Sequence, residues 1–251
     1  MHHVVMYNTT AFNPGAGVEA EIAAVTDNQM TIQNNHIIPQ RDTNILAAVA
    51  MGATITRARF QTPKLLIPTT HNVTPLSGAL NAGSIQRVCD LSNFPLALKG
   101  LEELQVFITH TAAVAEQNAA SIYLDQGQQV APPGDMRTIR GTSVGPAVAN
   151  AWTNVGTITW QNTLPTGLYA IVGGFFQSTT NLASRLILEN QFWRPGAPGM
   201  TALTDLPDEL FRFGNLGTWG TFHNTAMPQI EVFCTAADAA FVFGLDIIKI
   251  G

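Results

Sequence analysis

GLYAIVGGFF (167–176) is apolar on both faces of any strand it could form. That pattern predicts a central strand covered from both sides. Its paired glycines, Gly173 and Gly174, predict a bulge or bend. The segments around it are of the same kind: ELQVFITH (103–110), ASIYLD (120–125), VGTITW (155–160), SRLILEN (184–190), QIEVFCT (229–235) and AFVFGLDIIKI (240–250). Each is short and rich in Val, Ile, Phe or Tyr, and turn residues bound each one. ELQVFITH should point Leu104, Val106 and Ile108 inward and Gln105, Phe107 and Thr109 outward. QIEVFCT should bury Ile230, Val232 and Cys234 in the same way. Two long stretches, 126–151 and 191–228, carry most of the Pro and Gly of this half. Short antiparallel strands joined by long loops predict an all-β protein, a β-sandwich of the jelly-roll kind.

Upstream, Val4, Val5 and Met6 suggest an arm or edge strand. EAEIAAV and QMTIQNNHII suggest two strands with Asp27-Asn28 in the turn. Asp42, Thr43 or Asn44 can cap a short helix through ILAAVAMGA, with Ile45, Val49 and Gly52 on one face. TITRARF (54–60) reads as a strand with Ile55, Arg57 and Arg59 on one face and Thr54, Thr56, Ala58 and Phe60 on the other. TPKLLIP (62–68) reads as extended, Pro75, Gly78 and Gly83 mark a loop, and IQRVCDL (85–91) resumes the strand pattern before FPLALKG (94–100). The expected division is an N-terminal β region with one short helix at 1–100 and a C-terminal jelly roll at 101–251. No internal repeat or low-complexity tract is visible.

Of the 251 residues, 12% are charged, about half the ~25% usual for a soluble domain. Thr, Asn, Gln and Ala take their place, and 46% of the chain is hydrophobic. A polar, uncharged surface over ample apolar content suits a protein that packs against copies of itself. The net charge is −5, and the 12 basic residues are scattered singly. That argues against a nucleic-acid patch or a polybasic membrane anchor. Cys89 and Cys234 are too far apart in sequence to suggest a disulfide framework, and Cys234 is expected to be a buried free thiol. The N-terminus lacks a basic n-region and a long apolar stretch, so no signal peptide is expected. No apolar run approaches the ~20 residues of a spanning helix. The chain is expected to be soluble when made.

No catalytic constellation stands out among these elements. His2 and His3 sit at an end expected to be flexible and incidental. His36, His71, His110 and His223 share no metal-ligand spacing, so no metal and no cofactor is expected. Asp125, Asp135, Asp205, Asp208, Glu209 and Asp238 sit mostly in turn contexts. Glu189 and Asp246 lie in apolar strands, where a structural salt bridge with Arg185 or Lys249 is the expectation rather than acid–base chemistry. GTSVG (141–145) follows a strand without opening a helix, and GNLGTWG (214–220) lacks a phosphate-loop lysine. Arg57, Arg59, Arg137, Arg140, Arg185, Arg194 and Arg212 stand singly beside Thr, Pro or aromatic residues. The clusters Phe192-Trp193-Arg194 and Phe211-Arg212-Phe213 match residue types enriched at protein–protein contacts. Arg57, Arg59, Trp193, Arg194, Phe211, Arg212 and Trp219 are therefore the subunit-interface candidates, with the locking of their own loops as the other reading.

LPTGLYAIVGGFFQSTTNLASRLILENQFWRPGAPG (164–199), FRFGNLGTWGTF (211–222), IEVFCTAADAAFVFGLDIIKI (230–250) and ATITRARFQTPKLLIP (53–68) together resemble the jelly-roll major capsid proteins of tailless icosahedral phages with an internal membrane. The resemblance lies in the pattern and order of segments and covers about two thirds of the chain. It implies two tandem jelly rolls in one chain and homotrimers with a pseudo-hexagonal outline that tile a shell over a membrane. Implied partners are copies of the chain, minor capsid or vertex proteins and the underlying membrane. The implied location is the virion, after synthesis in the host cytoplasm. The segment before residue 100 is short for a complete roll. Either the first barrel is minimal, or a single roll carries an elaborated N-terminal region. The expected function is that of a non-enzymatic viral coat subunit. The alternative is a receptor- or carbohydrate-binding sandwich, a spike or lectin-like module, with Trp152, Trp193 and Trp219 stacking on sugars. A cupin-type enzyme is a third class, disfavoured by the histidine spacing.

Overall fold

The computed structural model describes residues 1–62, 72–73, 76–77, 88–127, 129–145, 148–200 and 209–251. Most of TPKLLIP, Pro75, Gly78, Gly83, the start of IQRVCDL, Asp205 and Asp208 lie outside the described residues. The chain divides into two compact units, Val5–Gln126 and Met1–Val4 with Gly127–Gly251. Among the described residues the structure is almost wholly β. The one helical piece among the described residues is a single 3-10 turn, Glu209–Phe211.

The first half of the chain contributes β1 (His2–Phe12), β2 (Glu19–Ile22), β3 (Thr31–Gln33), β4 (His36–Ile38), β5 (Thr43–Gly52) and β6 (Ile55–Gln61). It continues with β7 (Asn72–Val73), β8 (Leu76–Ser77), β9 (Cys89–Asp90), β10 (Leu96–Leu98), β11 (Gln105–His110) and β12 (Glu116–Asp125). One sheet runs β1-β12-β5-β10 and another β2-β11-β6-β7. The β3–β4 hairpin stands apart, and β8 and β9 add to β5. Leaving out these additions, eight strands divide between two sheets, in the orders first-eighth-third-sixth and second-seventh-fourth-fifth. That connectivity is the jelly roll.

The second half repeats it. Its strands are β13 (Met136–Ser143), β14 (Trp152–Asn154), β15 (Thr159–Trp160), β16 (Leu168–Gln177), β17 (Asn181–Ile187), β18 (Gly196–Met200), β19 (Gly220–His223), β20 (Gln229–Cys234) and β21 (Phe241–Lys249). β13-β21-β16-β19 forms one set of neighbours and β14-β20-β17-β18 the other. β14 and β15 share the second-strand position: Trp152–Asn154 pairs with β20, and Thr159–Trp160 pairs with β13. The two-roll reading is thus the one the registers support. The expected boundary near residue 100 is corrected to Gln126/Gly127, because β11 and β12 complete the first roll.

β16 behaves as expected. Residues Tyr169–Gly174 are buried in succession, and the register shifts between Ile171 and Gly173. β11 alternates, with Val106 and Ile108 buried and Gln105, Phe107 and Thr109 partly exposed. The expected helix at ILAAVAMGA is a strand instead. β5 is buried along nearly its whole length and is paired with β12 and β10. A short run that is apolar throughout has no alternation to distinguish a central strand from a buried helix. Three alanines in β5 (Ala47, Ala48 and Ala50) keep that strand slim in the sandwich centre.

Candidate functional site

The seven interface candidates fall into four settings. In the first unit, β6 flanks β11 with β2 on the other side, so Glu21, Phe107 and Arg59 stand in one cross-strand row. Arg59 donates from Nε to Glu19 Oε1 at 2.6 Å and from Nη2 to Oε2 at 2.8 Å, a forked pair. Its guanidinium lies 4.2 Å from the Phe107 ring centre. Hydrogen bonding to Arg59 holds the Glu19 carboxyl below its ordinary range, against partial burial. Arg57 reaches the same carboxylate at 3.2 Å but is half exposed.

In the second unit, Glu231 Oε2 accepts from Arg185 Nε at 2.6 Å and from Arg194 Nη1 at 2.5 Å. Arg185 is buried, donates to Val4 O at 3.0 Å, and covers the Trp152 ring at 3.9 Å. Arg194 N donates to His3 Nδ1 at 2.9 Å, and Trp193 packs edge-on to the His3 ring. His2 meets Trp219 edge-on at 5.1 Å. The two terminal histidines, expected to be incidental, are buried parts of this unit. Burial drives His2 down to about 3, so it is neutral.

Arg212 follows the 3-10 turn. It donates from Nε to Asp246 Oδ2 at 2.7 Å and from Nη2 to Oδ1 at 2.6 Å. Thr138 Oγ1 donates to the same Asp246 at 2.6 Å. The expected strand salt bridge exists at Asp246, but its partner is Arg212 rather than Lys249. Arg185 serves Glu231 rather than Glu189. Phe211 and Trp219 are 2% and 0% exposed. They are core residues of the unit and have no surface to offer a neighbour.

Cys234 is a buried free thiol, as its phase in the strand required, and burial pushes it up to about 11. Among the described residues no group of three or more His, Cys, Asp or Glu is placed to hold a metal ion. None of the described helices is long and apolar enough to cross a membrane. A groove of about 290 Å3 opens where the chain passes from β14 to β15, lined by Asn154, Thr157, Ile158, Trp160, Met227 and Gln229. Of the tryptophans expected to stack on sugars, Trp152 lies under Arg185 and Trp219 is buried. Trp160, not singled out by sequence, is the one that lines the groove.

No protein-family model matches the chain, and no curated protein sequence matches it. Two solved structures align over nearly its full length. One is the STIV major capsid protein, at 9% identity over 97% of each chain with a TM-score of 0.26. The other is the major capsid protein P2 from bacteriophage PM2, at 10% identity over 100% of this chain and 98% of that one with a TM-score of 0.24. Scores this low add nothing to the topology that the strand registers establish.

Proposed function

We propose that the chain is a viral major coat subunit that self-assembles, as homotrimers, into an icosahedral shell. One observation supports the reading above others: a single chain repeats the same eight-strand connectivity twice. Tandem rolls give a rigid building block with repeated edges and loops, and repeated modest contacts are what close a symmetric shell. Apolar side chains stand in solvent at Val130, Phe94 and Phe192, 91%, 84% and 64% exposed. Each is a place where a neighbouring copy would gain contact area. Arg57, Arg59, Trp193, Arg194 and Arg212 remain the proposed contact residues, with half-exposed Arg57 the freest of them to reach across. Minor capsid or vertex proteins and an underlying membrane complete the proposed surroundings, in the virion. Negative-stain microscopy with sedimentation of the purified chain tests this. Trimers or shells are expected, and a dispersed monomer at high concentration overturns the reading.

The groove favours a second reading. Trp160 beside Asn154, Thr157 and Gln229 offers an indole and neutral hydrogen-bonding groups with no charge, a combination suited to a sugar. Glycan-array hits from protein that stays trimeric or smaller would favour it over the shell.

A further inference from the structure

His36, on β4 of the first unit, touches acidic groups with both ring nitrogens. Nδ1 lies 2.9 Å from Glu103 Oε2, and Nε2 lies 2.5 Å from Glu21 Oε1. Glu21 Oε1 is buried and has no aligned hydrogen-bond donor among the described residues, although the imidazole lies this close to it. Nε2 also faces a competing group, Gln105 Nε2, at 3.3 Å. The Gln105 amide is oriented, because its Oε1 accepts from Gln61 Nε2 at 2.8 Å. Its NH2 end therefore points at the histidine.

These contacts cannot all be favourable in one protonation state. An imidazolium donates from both nitrogens and can join two carboxylates, but it has no lone pair for the Gln105 amide. A neutral ring protonated at Nδ1 keeps Glu103 and accepts from Gln105. It then sets its Nε2 lone pair against the Glu21 oxygen. We propose that His36 is a proton-operated clasp: protonated, it ties Glu21 of β2 to Glu103 ahead of β11, and neutral, it trades Glu21 for Gln105.

The groups around it leave that exchange to His36. Tyr7 of β1 donates its hydroxyl to Leu104 O and accepts from Ile37 N. Burial raises its phenol far above the ordinary range, so it stays neutral. β3, paired beside β4, contributes Thr31, Ile32 and Gln33, none of them charged. The next charges along the hydrogen-bond chain are Arg59 and Glu19, reached through Gln105 and Gln61. Glu21 faces Phe107, which faces Arg59 on β6. Releasing Glu21 thus puts a free carboxylate on the row that holds the proposed contact residue Arg59. The bridge to Glu21 needs a proton on Nε2 and the bond from Gln105 needs a lone pair there, so the two belong to different forms of the ring.

The test uses the whole chain. Ring 15N shifts should show both His36 nitrogens protonated at the acid end of a pH titration, and Nε2 unprotonated and accepting a bond at the alkaline end. Hydrogen exchange of residues 19–22, corrected for the intrinsic rate, should speed up about tenfold over the same range, roughly the factor of one charge-assisted contact. Glu21→Gln should abolish that response, since an amide can meet either form of the ring. His36→Gln should abolish it too. An unchanged response in Glu21→Gln, or an Nε2 whose protonation is the same at both pH values, overturns the clasp.

Discussion

Arg185 and Arg57 are bound in opposite ways, and their ion pairs should respond differently to truncation. Glu231 is the shared acceptor of Arg185 and Arg194, and Arg185 is 1% exposed. Removing that acceptor leaves a buried guanidinium uncompensated, so Glu231→Ala should cost about 3–5 kcal/mol. Arg57 shares Glu19 with Arg59 from a half-exposed position, so Arg57→Ala should cost about 1 kcal/mol or less. Equilibrium denaturation of the two variants checks the contrast, and equal losses would contradict it. His2 adds a pH dependence of its own. Its folded value of about 3 lies below the ordinary 6.5, so the folded state binds fewer protons between those limits. Its contribution is complete above about pH 6.5 and drains as pH falls, at up to about 1.4 kcal/mol per pH unit. His2 Nε2 lies within bonding distance of both Gly196 O and Gly196 N and serves one of them in a given tautomer, a role that the amide of His2→Gln can take over while removing the titration. The variant's acid slope of stability should be shallower than that of the parent by about one proton.

Strand packing sets the next scale. Gly196 opens β18 against β17, and a Cβ built there would lie 1.9 Å from Ser184 O. Gly196→Ala must push the two backbones apart, and a loss of about 3 kcal/mol with disturbed amides across 183–185 is expected by NMR-monitored denaturation. Strands that alternate were legible in the sequence. β11 and the arginine face of β6 came out in phase, except that Ile55 turns inward where the register slips opposite His110. β5 was not legible, because uniform burial erases the period that separates strand from helix. The β3–β4 hairpin was hidden as well. Its turn is Asn34-Asn35, both with positive φ, while Asp27-Asn28 upstream supplied an equally good turn signal. Site chemistry was harder still. Residue type pointed to Arg194 and Arg212, but their acceptors Glu231 and Asp246 come from strands distant in sequence. Phe211 and Trp219 looked like surface anchors only because aromatic content does not say which side of a loop faces the core.

At the scale of the whole molecule, the charge content decides what kind of association to expect. Only 12% of the residues are charged, and the arginines proposed for contact are already committed within their own units, Arg59 to Glu19, Arg194 to Glu231 and Arg212 to Asp246. A guanidinium that already has its carboxylate gains little from a second one on a neighbour, whereas exposed Phe94, Val130 and Phe192 gain from any dry contact. The proposed assembly should therefore be driven by apolar and neutral polar surface, which salt does not screen. Sedimentation velocity between about 0.05 M and about 0.5 M sodium chloride should show the same assembled fraction, and sodium sulfate should raise it. Replacing Phe192 with Ser should lower that fraction more than Arg57→Ala does. Dissociation of the oligomer across the chloride range, with Arg57→Ala the more damaging change, would show instead that ion pairs between copies hold the assembly together.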